Sequence, residues 1–257
     1  MELYKINKIC YNINGQMFNK TGGFVMPYYY IVLPFGLIVS FIFCLKRGKG
    51  FSISNLMLKS VSSLCYMLTA VFALISNAEQ YLYGSLIIFG GALGLVGDIL
   101  LDLKGIYKKD ESTYLKGGFI FFLIGHVFYS SAILITAKLQ YWIILICVAA
   151  SIIFAWLNLL SSKITKVHFG AYRSIVFIYA IFLAFTLSTS IAAAIVTHFS
   201  KGYVILAIGA LLFTLSDAIL SNTFFGRNKD SFMYFFTNHL TYYAGQYLIA
   251  ASILFMK

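Results

Sequence analysis

Charge is what this sequence has least of. Only 11% of its 257 residues are Asp, Glu, Lys or Arg, whereas a soluble domain carries about 25%. Acidic residues are scarcer than basic ones, eight against nineteen. Proline occurs twice, at Pro27 and Pro34, so helices beyond residue 34 lack their usual breaker. The four cysteines, Cys10, Cys44, Cys65 and Cys147, show no CxxC or metal-ligating spacing. They are read as small apolar residues with no disulfide and no metal. No GxSxG is present, which argues against a serine lipase, and no HExxH or comparable spacing points to zinc. The first 23 residues, "MELYKINKICYNINGQMFNKTGG", lack the apolar core of a signal peptide and read as a short polar tail outside the membrane. Within it, "NKT" at Asn19 matches a glycosylation acceptor.

What the chain does have is apolar surface. Hydrophobic residues make up 61%, more than a soluble fold of this length can hide. The chain is therefore expected to be an integral membrane protein. A span needs about 20 apolar residues. Eight candidates appear, at 26–45, 54–75, 82–101, 117–137, 139–160, 172–196, 201–221 and 235–255. The runs are continuously apolar rather than alternating, so they predict helices rather than a barrel. Their connections are too short for a soluble domain. The expected fold is all-α: one transmembrane domain over 1–257, an eight-helix bundle.

A net charge of +11 would suggest nucleic acid in a soluble protein. Here the basic residues gather in short loops, and the aromatics lie in the spans, so no nucleic-acid partner is expected. The loops after helices 1, 3, 5 and 7 carry Lys46, Arg47, Lys49, Lys104, Lys108, Lys109, Lys116, Lys163, Lys166, Arg173, Arg227 and Lys229. The opposite side carries Lys5, Lys8, Lys20, Lys138, Lys201 and Lys257. The positive-inside rule then places both termini outside, with membrane lipids as the surrounding partners.

Against this background, ionisable residues inside spans stand out. Burying one costs about 2.5–3.5 kcal/mol on insertion scales, so each is a functional candidate. Asp98, in "GGALGLVGDILLDLKG", shares a helix face with Gly94, Gly91 and Gly90. Small residues mark packing faces, so Asp98 is expected to point into the bundle. Asp102 reads as loop electrostatics beside Lys104. Asp217 echoes Asp98: "GGALGLVGDILL" lies over "GALLFTLSDAIL", which suggests a 4+4 parallel internal repeat. Four helices separate the two, an even number, so both sit at the same membrane face. Each is expected about four residues, or ~6 Å, from the end of its span. Each is followed by a helix carrying His with Tyr three residues on: His126 and Tyr129 in "GHVFY", His239 and Tyr242 in "NHLTY". Gln246 continues the second stripe. Lys59, about six residues into helix 2, shares their membrane face and can neutralise Asp98 or bind a phosphate.

Two carboxyls and a His on one face permit acid and base work. One Asp can hold a proton while the other stays ionised. Such residues equally serve a small-solute or lipid transporter, although those usually have broken helices near the midplane.

The motifs, in this order, resemble the YhhN family of membrane proteins, which includes lysoplasmalogenases. The family pattern stands here as "GDILL", "GHVFY", "LSD" and "YYAGQ". Family members often carry Pro soon after the helix-2 Lys, where this chain has "SVSS", and His239 is not a family feature. The resemblance implies hydrolysis of the vinyl-ether bond of a lysophospholipid, a lysoplasmalogen, to a fatty aldehyde and a glycerophospho-ethanolamine or -choline. It implies catalytic roles for Asp98, Asp217 and His126, and substrate-orienting roles for Lys59, Tyr129, Tyr242, Gln246 and His239. No cofactor is implied. The setting would be a bacterial inner membrane or an endoplasmic-reticulum-type membrane. Another lysolipid linkage would need much the same residues.

Overall fold

The computed structural model describes residues 10–11, 17–18, 28–47, 50–226 and 231–257. In the tail only Cys10–Tyr11 and Met17–Phe18 are described, a two-residue antiparallel ladder. The Asn19 acceptor lies outside the described residues. Eight helices follow: α1 (Tyr29–Arg47), α2 (Ile53–Ser76), α3 (Tyr81–Ile106), α4 (Glu111–Ala137), α5 (Tyr141–Thr165), α6 (Arg173–Val196), α7 (Lys201–Phe225) and α8 (Phe232–Phe255). Cys44, Cys65 and Cys147 are buried and free.

Among the described residues seven helices, α1 to α7, are long and apolar enough to cross a membrane. The chain is thus a multi-pass membrane protein. The eighth expected span is present as a helix but falls short in hydropathy. The cause is its polar stripe of Asn238, His239, Tyr242 and Gln246, all buried. α8 packs against α1, α2, α3 and α7. Its polar groups therefore face protein, where partners exist, instead of lipid, where they do not.

Packing follows a ring in which α1, α2, α3, α4, α6, α7 and α8 each touch the next and α8 returns to α1. α5 packs on α6. Glycines set the closest approaches. A Cβ on Gly90 would meet the Gly125 carbonyl at 3.0 Å, and one on Gly209 would meet the Gly245 carbonyl at 3.0 Å. Each pair lets two backbones touch, as small residues do in membrane helices.

The helices outrun their apolar spans. α3 continues to Ile106 and α7 to Phe225. Asp98 and Asp217 consequently lie eight residues from their helix ends, about 12 Å of rise. Each helix thus continues about one turn beyond its apolar run. The extra turn of α3 is stable because its charges, Asp102 and Lys104, are buried with partners.

The α1–α2 turn also shapes the site. The Arg47 carbonyl accepts from the Gly50 amide at 3.0 Å. Gly50 has φ +115°, a conformation that glycine alone adopts freely. The turn brings Phe51 back beneath the Arg47 guanidinium, whose carbon is 3.5 Å from the ring centroid. Ser52 caps α2, accepting from the Asn55 amide at 3.2 Å.

Candidate active site

Small residues on the Asp98 face leave room for side chains from neighbouring helices. Gly94 and Gly91 abut Tyr66, Gln246 and Tyr129. Asp98 points inward as its face predicted and is 2% exposed. Three donors converge on it. Lys59 Nζ lies 3.2 Å from Oδ1. Ser63 and Tyr242 donate to Oδ2 at 2.6 and 2.7 Å. Ser63 stands one helical turn after Lys59, so α2 delivers both from one face.

The hydroxyl of Tyr242 also joins a longer chain. Tyr129 donates to Gln246 Oε1 at 2.9 Å, Gln246 Nε2 donates to the Tyr242 hydroxyl at 3.2 Å, and Tyr242 donates to Asp98. Every link points its hydrogen toward the carboxylate, so the links polarise one another and favour the anion. Four residues singled out from sequence thus meet in one network.

Lys59 has a second partner. Asp102 Oδ1 lies 3.3 Å from its Nζ and 3.6 Å from Arg47 Nη2. Both Asp102 and Arg47 are 2% exposed. Two expectations are corrected here. Asp102 does not pair with Lys104, which instead reaches Glu111 at 3.8 Å. Arg47 is not a loop charge but the buried end of α1. Arg47, Asp102, Lys59 and Asp98 form a row of alternating sign, which offsets the cost of burying each charge.

Asp217 shares the cavity but not the partners. It is half-buried, and the hydroxyl of Tyr179, from α6, donates to it. Among the described residues no cation lies within 4.0 Å of it. The rings of Phe119 and Tyr179 are 5.5 Å apart, so its surroundings are aromatic.

The cavity draws walls from all eight helices. From α1, α2 and α3 come Arg47, Lys59, Asp98 and Asp102; from α4, α5 and α6 come Phe119, Phe122, Phe154, Val176 and Leu183. Asp217, Tyr242 and His239 also line it. His239 Nδ1 is 2.8 Å from the Phe235 carbonyl. A carbonyl only accepts, so Nδ1 carries the hydrogen and Nε2 is the ring's acceptor.

His126 is placed differently. It is not on the cavity wall. Its Nδ1 pairs with Thr186 Oγ1 at 3.1 Å, and among the described residues its Nε2 has no partner. Its ring packs edge-on, at 5.8 Å, against Tyr179, the tyrosine that donates to Asp217. Ser63, Tyr179, Arg47 and Asp102 are the site residues that sequence reasoning missed. For Ser63 and Asp102 a signal existed, since each lies four residues from a recognised charge.

Charged side chains and aromatic rings thus line one cavity between the helices. No curated protein and no solved structure matches the chain. The model of the YhhN family does match, over residues 54–253, a segment that holds Lys59, Asp98, Tyr129, Asp217, Tyr242 and Gln246, and the chain belongs to that family.

Proposed function

We propose that the protein is a lysoplasmalogenase, hydrolysing the vinyl-ether bond of a lysophospholipid within the membrane. One observation carries this reading: two carboxyls on one cavity have opposite surroundings. Asp98 is held as an anion by a cation and two hydroxyls. Asp217, among aromatic rings with one hydroxyl partner, is the group that holds a proton. Vinyl-ether hydrolysis needs this division of labour.

In the first step Asp217 gives its proton to the vinyl carbon remote from oxygen, leaving an oxocarbenium ion. The Asp98 carboxylate stabilises that cation and takes a proton from the attacking water. The resulting hemiacetal breaks its C–O bond to glycerol: Asp98 returns its proton to the glycerol oxygen, and the hemiacetal hydroxyl gives its own to Asp217, which restores both carboxyls. One water is consumed, and a fatty aldehyde and a glycerophospho-alcohol leave. The phenyl-lined walls hold the alkyl chain and keep bulk water from the ion.

The test is aldehyde release from a lysoplasmalogen by purified protein in detergent. Asp98→Asn and Asp217→Asn should each lower the rate by about 100-fold or more. Full activity in both variants would refute the two-carboxyl mechanism. No aldehyde from the wild type, together with solute flux into liposomes, would establish transport instead.

A further inference from the structure

Arg47 has donors to spare. It is 2% exposed, yet among the described residues its Nε and Nη1 have no hydrogen-bond partner. Among those residues its ionic contact is through Nη2, at 3.6 Å from Asp102. Phe51 lies flat against the guanidinium at 3.5 Å, and the Phe235 ring centroid is 5.0 Å away. A buried guanidinium with unsatisfied N–H groups is costly, and native proteins rarely leave one so. Here the group lines the same cavity as Lys59. Stacking on Phe51 fixes the plane of the fork, and Asp102 sits between the two cations.

From this we infer that Arg47 and Lys59 form a phosphate site, which binds the headgroup phosphate of a single-chain phospholipid. The inference rests on the lysolipid reading above and assigns its headgroup end. Nε shares one edge of the planar group with Nη2 and Nη1 shares the other, so either edge can offer two N–H groups to two phosphate oxygens, and Lys59 adds a point charge. The cavity supplies the rest of the fit. Arg47 and Lys59 enter it from α1 and α2, whereas α4, α5 and α6 contribute Phe119, Phe122, Phe154, Val176 and Leu183 to the same lining. A phosphate at Arg47 and an alkyl chain against Phe119, Phe122 and Phe154 would occupy the cavity that Asp98 and Asp217 also line. Arg47 also lies ahead of the segment that the family model matches, so this contact is read from this chain alone.

The experiment measures binding and needs no turnover. The probes are a saturated 1-O-alkyl lysophosphatidylethanolamine, which has no vinyl bond, the matching 1-O-alkylglycerol, which has no phosphate, and water-soluble glycerophosphoethanolamine. Arg47→Gln should weaken the alkyl lysophospholipid by about tenfold or more and leave the alkylglycerol within about twofold. Arg47→Lys keeps the charge beside Asp102 but loses the fork. It should weaken the lysophospholipid by about threefold while unfolding near the wild-type temperature. Equal weakening of both lipids, or of neither, would overturn the assignment. Glycerophosphoethanolamine binding as tightly as the lipid would overturn the lipid source in favour of a soluble phosphoester. Absence of aldehyde release with Arg47-dependent lipid binding would refute hydrolysis and leave the phosphate site. Aldehyde release with binding indifferent to Arg47 would do the reverse.

Discussion

Asp98 and Asp217 occupy the same place in two helices, and everything around them differs. Both stand eight residues before a helix end, on α3 and α7, and both line one cavity. Asp98 receives a lysine, a serine and a tyrosine, with a hydrogen-bonded chain behind the tyrosine. Asp217 receives one tyrosine. Position along a helix fixes depth in the membrane, but partners fix protonation. Among the described residues α2 and α8 bring charge and donors to Asp98, whereas Asp217 has a donor from α6 alone. The two surroundings are unequal, and the proposed acid and base roles rest on that difference.

The comparison is broken most severely by removing Lys59. In Lys59→Met, Asp98 loses its cation and Asp102 keeps only Arg47 at 3.6 Å. Stripping a partner from a buried pair strands the other charge, at a cost of about 3–5 kcal/mol. Asp217→Asn, by contrast, strands nothing, because an amide can still accept from Tyr179. Its cost should stay within about 1 kcal/mol. Thermal unfolding of both variants in one detergent checks the difference. Similar melting temperatures would mean that Lys59 does not hold the Asp98 side together.

Much of this asymmetry was legible in the sequence, and the rest was hidden for definite reasons. Glycines at i−4, i−7 and i−8 aim Asp98 inward, and the structure finds it there. The even helix count puts Asp217 on the same cavity. Tyr129, Tyr242 and Gln246 were marked by their motifs and meet in one chain. Asp102 was misread because Lys104 is near in sequence. On a helix, residues two apart face different ways, whereas Asp98 and Asp102 share a side. Arg47 was hidden because a basic residue at a helix end ordinarily sets topology. Only the turn at Gly50, which brings Phe51 beneath it, shows that the side chain is inside. Tyr179 gave no signal, since one tyrosine in "SIVFIYAIFLAF" looks like core.

The helix pairs that carry the two carboxyls differ less, and a smaller effect separates them. α3 meets α4 at Gly90 and Gly125; α7 meets α8 at Gly209 and Gly245. A Cβ on Gly125 would touch the Gly90 carbonyl at 3.0 Å, with the next atom outside helix neighbours at 3.8 Å. One on Gly245 would meet the Gly209 carbonyl at 2.8 Å and the Phe213 amide at 2.9 Å. Backbone cannot rotate away as a side chain can. Gly245→Ala should cost about 1–3 kcal/mol, and Gly125→Ala should fall at or below the low end. Gly245→Ala should also slow aldehyde release, because Gln246 follows directly and holds Tyr242. Equal melting temperatures would show the two crossings to be interchangeable.

Next in size are the tyrosines that touch the carboxyls. Tyr242→Phe leaves Asp98 with Lys59 and Ser63, whereas Tyr179→Phe leaves Asp217 without a hydrogen-bond donor among the described residues. A hydrogen bond to a charged or reacting group is worth about 1.5–3 kcal/mol, and one of three converging donors contributes less than a sole donor. Tyr179→Phe should therefore slow aldehyde release by about tenfold and Tyr242→Phe by about threefold. The reverse order would exchange the roles of the two carboxyls.

The smallest expected effect falls on His126, one of the three residues to which the family resemblance gives a catalytic role. His126 is off the cavity wall, with Nδ1 on Thr186 and Nε2 unpartnered. Its ring meets Phe213 edge-on at 4.9 Å, as well as Tyr129 and Tyr179. A phenyl ring can make the same edge contacts. His126→Phe removes an unsatisfied buried nitrogen, a gain, and one hydrogen bond to Thr186, a loss. Thr186 keeps Ser130 and the Phe182 carbonyl, so the two changes should nearly cancel, to within about 1 kcal/mol. The reaction should slow by less than about tenfold, since His126 acts only by seating Tyr179 against Asp217. A loss of about 100-fold with unchanged melting would put the imidazole in the proton path. It would also give Asp217 a second partner and remove the inequality between the two carboxyls.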